Sequence, residues 1–330
     1  MKLKPIEEQV VVVTGSSSGI GLATVRLAAS RGAKVFLIAR NEAALREAVQ
    51  GIRAEGGDAA YATADVGDEA EVLAAAQTAI ARFGRIDSWV NNAGVAIYAP
   101  LLDTPEEEHQ RLFRTNYFGT VHGCRTAIRH LRENGGALVT VGSIAGDMPS
   151  PILGAYTASK HALKAYVESL RIEVRMAALP VSISLVKPSG IATPIAEHAA
   201  NHLEGEARIP PPPYDPALVA EAILDCCTRR VREVTVGGVG RAQALFAQHF
   251  PALFDRLAPL VAPLLHTDTL PKTRTDNLAK VAADGEERSA TEVGKPFSLY
   301  TSAARHPGLL AAGLTATALL VYAGTRRRRG

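Results

Sequence analysis

The chain has 330 residues, 47% of them hydrophobic, with 36 Lys and Arg, 33 Asp and Glu, and three cysteines. That is enough apolar chain for one large core plus an appendage. Three cysteines, two of them adjacent (Cys226, Cys227), exclude a disulfide framework and point to a reducing compartment. The basic excess is smaller than the run Arg326–Arg329 alone, so the body of the chain is near neutral and nucleic acid is not an expected partner. Met1-Lys2-Leu3-Lys4-Pro5 lacks the apolar region of a signal peptide, so a cytoplasmic location is expected.

Val10–Thr14 is a continuous β-branched run, the mark of a central parallel strand buried on both faces. It leads into Gly15-Ser16-Ser17-Ser18-Gly19-Ile20-Gly21 and a helical stretch from Leu22 to Arg31. Glycines at this place permit a tight turn and close approach of backbone to a pyrophosphate, with the helix N-terminus supplying N–H groups and positive dipole. The spacing is G-x-x-x-G-x-G rather than G-x-G-x-x-G, and alone it also fits a plain turn.

Further strands are expected at Lys34–Ala39, Ala59–Thr63, Ser88–Asn91, Ala137–Val141, Val181–Lys187 and, after a helix at Ala217–Arg229, Glu233–Val236. Helical stretches separate them. This alternation predicts an α/β fold: a doubly wound parallel sheet of about seven strands with helices on both faces, plus a C-terminal helical extension. Ligands in such sheets bind beyond the carboxyl ends of the strands.

The strand ending at Val141 runs into Gly142-Ser143, and a long helix opens at Tyr156-Thr157-Ala158-Ser159-Lys160. Positions i and i+4 share a helix face, so the Tyr156 phenol and the Lys160 ammonium can point into one cleft. A phenol titrates near ~10 and is a poor base at neutrality, whereas a neighbouring cation favours the phenolate. With the Ser143 hydroxyl holding a substrate oxygen, Tyr156 can exchange a proton with an alcohol or ketone. Taken alone, Y-x-x-x-K also fits a surface tyrosine with a solvated lysine one turn on.

In combination these motifs resemble the short-chain dehydrogenase/reductase family. The match runs in order from about residue 8 to residue 194: Thr14-Gly-x-x-x-Gly-Ile-Gly21, Asp65-Val66, Asn91-Asn92-Ala93-Gly94, Asn116, Ser143, Tyr156 and Lys160. The resemblance implies Asn116, Ser143, Tyr156 and Lys160 as the catalytic residues. It implies a nicotinamide coenzyme held by Thr14, Gly15, Ser16, Ser18, Gly19, Ile20 and Gly21, with Asp65 and Val66 flanking the adenine. Asn92, Ala93 and Gly94 would line the ribose path, Tyr156 and Lys160 the nicotinamide ribose, and Ile191 and Thr193 the carboxamide. One departure is Ser189, which stands where the family usually has the glycine of a Pro-Gly pair.

Coenzyme choice is read after the second strand, where an acidic residue would favour NAD(H) and a basic one NADP(H). Arg40 stands there with Arg46 nearby, and Ser16 is a candidate phosphate donor, so NADP(H) is expected over NAD(H). Arg40 as a solvated loop cation is the plain alternative. The substrate expected is a small lipophilic secondary alcohol or ketone; the competing class is a non-catalytic NADP(H)-binding regulatory or scaffold protein. A homo-oligomer is the expected assembly.

The expected divisions are residues 1–240 as the Rossmann catalytic domain with a lid at 194–216, 241–301 as a helical then loosely ordered extension, and 302–330 as a tail. His198 and His202 in the lid have the i, i+4 spacing of metal ligands but no third partner at a matching offset, so no metal is expected. In the tail, twenty uncharged residues (306–325) precede Arg326–Arg329. That length would span a bilayer core, lie at a membrane surface, or pack on the body; membrane association through 302–330 is the expectation.

Overall fold

The computed structural model describes residues 2–269, 276–281 and 284–305. Among the described residues nine strands are interspersed with helices: β1 Val10–Thr14, β2 Lys34–Ala39, β3 Asp58–Thr63, β4 Ser88–Asn91, β5 Ile97–Tyr98, β6 Gly136–Val141, β7 Val181–Pro188, β8 Ala200–Asn201 and β9 Glu233–Val236. Seven of them form one all-parallel sheet in the order β3-β2-β1-β4-β6-β7-β9. The doubly wound α/β architecture expected from the alternation is therefore present.

The helices are α1 Gly19–Ser30, α2 Glu42–Ala54, α3 Glu69–Phe83, α4 Glu106–Phe113, α5 Gly119–Asn134, α6 Gly154–Met176, α7 Pro216–Thr228, α8 Gly238–His249, α9 Pro251–Leu257 and α10 Leu299–Arg305. Two cores sandwich the sheet. Val11 and Val13 of β1 pack with Leu22 and Val25 of α1 and Ile223 of α7. Val12 points the other way, into a core with Val72 of α3, Leu131 of α5 and Leu163 of α6. Period-two alternation thus drives opposite faces of one strand into separate apolar layers, which is why its sequence reads as an unbroken β-branched run.

Strand order reverses between β1 and β4, which lie side by side, and this switch point opens a crevice beyond their carboxyl ends. The crevice is roofed by the segment after β7. There β8 pairs in parallel with β5, Ile97 to Ala200 and Tyr98 to Asn201.

The polar stretch after His266 departs from the expectation of a loosely ordered arm. Its described residues are tied across the crevice by backbone hydrogen bonds to residues far away in sequence, among them Asn277 N–H to His198 O (2.9 Å) and Ser289 N–H to Ala192 O (3.1 Å). Low hydrophobicity hid this order, because backbone pairing needs no apolar pattern. Among the described residues no helix is long and apolar enough to cross a membrane. The stretch 306–325, on which the membrane expectation falls, lies outside the described residues.

Candidate active site

The switch-point crevice is lined by residues from the ends of β1, β4, β6 and β7. At the β1 end Gly15 has φ +64°, and a Cβ there would lie 2.6 Å from Ala93 Cα. A Cβ on Gly21 would lie 2.1 Å from Gly15 O. Both positions therefore need glycine, one for backbone conformation and both for space. The turn is pinned to the end of β4: Asn92 Nδ2 donates to Thr14 O and Gly15 O (3.0 Å each), and the Asn92 and Ala93 N–H groups donate to Thr14 Oγ1 (3.0 and 3.2 Å).

Ser18, Gly19, Ile20, Asn92, Ala93 and Gly94 face the crevice. Ser16 does not. It is fully buried, its Oγ accepts from Ile38 N–H (2.9 Å), and it is no candidate phosphate donor. Thr14 and Gly21 are likewise not among the residues lining the crevice; Thr14 Oγ1 accepts from the Asn92 and Ala93 N–H groups, and Gly21 packs against Gly15 O. Ser17, which the family spacing leaves unassigned, lines the crevice instead.

Asp65, Val66 and Arg40 line the same crevice. Arg111 of α4 donates to Asp65 (2.5 Å), and Gly67 N–H donates to the same carboxylate (2.9 Å). Burial pushes the Asp65 carboxyl up, but these bonds outweigh it and hold it below the usual range. Arg40 is half-buried. Burial, then Arg111 beside it, lowers its pKa, and its guanidinium donates to the carbonyls of Asn277 and Leu278. Arg40 is thus not a solvated loop cation. Arg111 was not legible as a site residue, since nothing in α4 marks which of its charges turns inward.

Ser143 caps a short 3₁₀ turn at the end of β6, its Oγ accepting from Ala145 N–H (3.1 Å). That bond leaves the Ser143 hydroxyl proton free to point into the crevice. Tyr156 stands one turn into α6, with burial raising its phenol pKa and a hydrogen bond from Ser143 lowering it. Burial prevails, and the phenol lies above its ordinary value. Lys160 is 4% exposed, its Nζ 5.5 Å from the Tyr156 ring centroid and 3.4 Å from Val141 O. The same burial lowers the Lys160 ammonium to about 8.

Asn116 sits in a π-helical turn, Arg114–Phe118, the kind of helix defect that often marks functional sites. Its carboxamide exchanges hydrogen bonds with the Val95 backbone (2.9 and 3.0 Å) and donates to Ser159 Oγ (3.0 Å). A Cβ on Gly94 would sit 3.5 Å from Asn116 Oδ1 and 3.6 Å from Lys160 Nζ, so the three positions converge. Ile191 and Thr193 reach the crevice from the end of β7. The departure at Ser189 is accommodated: its N–H and Oγ both donate to Val236 O (2.9 Å each), bolting β7 to β9. Gly190 carries the close approach, since a Cβ there would lie 2.2 Å from Pro210 O.

Beside Tyr156 the crevice is apolar, with Leu153, Ile195 and Ile209 packed in one cluster with it; Met148 and Val239 also line the crevice. The lid histidines diverge. His202 Nε2 lies 2.7 Å from Glu108, while His198 Nδ1 lies 3.9 Å from Asp284. Cys226 and Cys227 are buried in the core, with thiols pushed up to about 12 by burial.

The model of the short chain dehydrogenase family matches residues 9–204. The chain is 39% identical over 335 residues to "Uncharacterized oxidoreductase YxnA" of Bacillus subtilis (strain 168), covering 100% of this chain and 94% of that protein. It is 35% identical over 193 residues to a cyclopentanol dehydrogenase of Comamonas testosteroni, covering 58% of this chain and 76% of that protein. Among solved structures, a short chain dehydrogenase/reductase from Burkholderia phymatum in complex with NAD superposes with a TM-score of 0.69 at 27% identity. That match covers 77% of this chain and 96% of the other. With its sheet order, its glycine turn and its matched family model, the chain belongs to the short-chain dehydrogenase/reductase family of oxidoreductases.

Proposed function

We propose that this chain is an NADP(H)-dependent enzyme interconverting a lipophilic secondary alcohol and the corresponding ketone, with Tyr156 as general acid and base. The observation that carries this is one cluster: Ser143 and Tyr156 line the same crevice, the buried Lys160 has its Nζ 5.5 Å from the Tyr156 ring centroid, and Leu153, Ile195 and Ile209 pack as an apolar wall against Tyr156. The shape of the glycine turn fits a dinucleotide, because its backbone lies where any Cβ would collide. When bound, the nicotinamide supplies or takes up a hydride at the substrate carbon.

The remaining steps belong to this chain's residues. Ser143 donates a hydrogen bond to the substrate oxygen, its own oxygen being fixed by Ala145 N–H. Tyr156 Oη gives its proton to that oxygen in reduction and takes it back in oxidation. A raised phenol pKa keeps Tyr156 protonated at neutrality, the form that reduction needs. Lys160 supplies positive charge beside the phenol as it ionises. Asn116 is a positioning residue, tying the segment after β4 to Ser159 of α6. The apolar lining selects a lipophilic substrate by burial, worth roughly 25 cal/mol per Å² removed from water.

NADP(H) is favoured by Arg40, which lines the adenosine end with Arg111 at its side and no carboxylate at position 39, 40 or 41. A hydrogen bond to a charged group contributes about 1.5–3 kcal/mol. Arg40→Asp, which also introduces repulsion, should lower the NADP/NAD ratio of kcat/KM by about 10- to 100-fold or more. Steady-state kinetics with both coenzymes checks this, and an unchanged ratio would place discrimination elsewhere.

A further inference from the structure

Residues 276–281 and 284–295 cross the crevice from its adenosine end to its lid. Arg40 donates to Asn277 O and Leu278 O, and Arg111 donates to Leu278 O (3.0 Å). Over the glycine turn, Gly19 N–H donates to Glu286 O (2.9 Å), Gly285 N–H to Ser17 O (3.1 Å), and Ser17 Oγ to Asp284 (2.8 Å). On the lid side, Glu197 accepts from Ser289 Oγ (2.5 Å) and Ala290 N–H (3.0 Å). The far end pairs with the lid base, Lys295 N–H to Pro213 O (2.9 Å) and Asp215 N–H to Lys295 O (3.0 Å). One segment therefore fastens both walls of the crevice together.

Asn277, Val281 and Asp284 line the same crevice as Gly15, Arg40 and Tyr156. From this placement we propose that residues 276–281 and 284–295 form a strap that is the third wall of the coenzyme site, and that a dinucleotide enters and leaves only when the strap lets go. The inference rests on the reading that the crevice binds a nicotinamide dinucleotide.

Because the strap holds the glycine turn chiefly through backbone groups, its hold is set by backbone geometry. Gly285 has φ +113° and donates its N–H to Ser17 O. Proline there fixes φ near −65° and removes the donor, so Gly285→Pro detaches the strap from the turn. A Cβ on Gly294 would lie 2.6 Å from Asp215 N, so Gly294→Val pries the strap from the lid base. Neither glycine lines the crevice, and a strap loosened in the resting protein should leave the chemical step alone.

The test measures release of NADPH from the full-length protein, by the fall in its fluorescence on displacement with excess NADP⁺. It also measures the single-turnover rate of ketone reduction with NADPH already bound. Both variants should release NADPH at least about 10-fold faster than wild type, with single-turnover rates within about twofold. Circular dichroism and melting confirm that each variant is folded, and the two act at opposite ends of the strap. Unchanged release in both folded variants would overturn the strap as a gate while leaving the coenzyme reading intact. Tighter and slower-releasing NADPH in the variants would overturn it too, since the strap would then compete with coenzyme. If the wild-type protein itself fails to bind NADPH or NADH, the coenzyme reading falls, and the strap proposal falls with it.

Discussion

Tyr156→Phe should retain NADPH binding and lose turnover by about 10²- to 10⁴-fold, the usual contribution of a positioned general acid–base group. The ring stays and only the hydroxyl goes, so the packing of Tyr156 against the apolar clusters on either side of it is preserved. Ser143 keeps the Ala145 contact that orients it. Binding measured by fluorescence and kcat measured with a reducible ketone separate the two effects. Near wild-type kcat in a variant that still binds NADPH would remove Tyr156 from the proton transfer.

Lys160→Met should show two effects of opposite sign. Turnover should fall by about 100-fold or more, as the cation that eases ionisation of Tyr156 disappears. Stability of the coenzyme-free protein should rise. The Lys160 ammonium titrates near 8 in the folded chain against 10.5 for an ordinary lysine, because burial disfavours its charge. With the folded pKa depressed, keeping the proton costs stability in full below pH 8. That cost fades between 8 and 10.5 as the folded chain gives up the proton that the unfolded chain still holds. At about 1.36 kcal/mol per pH unit, methionine should add as much as about 3 kcal/mol at neutral pH, with the gain over wild type shrinking as pH rises past 8. Melting curves at pH 7 and pH 10 check this. A lower melting temperature at pH 7 would mean the ammonium is held by favourable contacts, not tolerated at a cost for function.

The sheet was legible because short apolar runs such as Val10–Thr14 recur between longer helical stretches, the alternation of a parallel sheet. β1, β2 and β4 begin and end where Val10–Thr14, Lys34–Ala39 and Ser88–Asn91 suggest, and β3 and β6 start one residue earlier, at Asp58 and Gly136. Tyr156 and Lys160 were legible as neighbours because helical period alone brings i and i+4 together. What sequence spacing does not encode is direction within a turn. Ser16 and Ser17 are adjacent and chemically alike, yet one bonds inward to β2 and the other faces the crevice. Arg40 was legible as a cation at the right place, but its partners at Asn277 and Leu278 lie more than 230 residues away. The strap was illegible for the same reason. It carries no apolar period, and its order comes from backbone pairing with the glycine turn and the lid, which only the tertiary fold brings within reach.

The most direct test of the proposed chemistry is to supply NADPH carrying deuterium at the transferable C4 position with a panel of lipophilic cyclic and linear ketones. The product alcohols are then examined by mass spectrometry. Direct hydride transfer at this site predicts one deuterium on the carbinol carbon of whichever ketone is reduced, with the same label at a rate about 10²- to 10⁴-fold lower in Tyr156→Phe. Alcohol formed without deuterium, or labelled alcohol formed equally fast by the Tyr156→Phe protein, would contradict it.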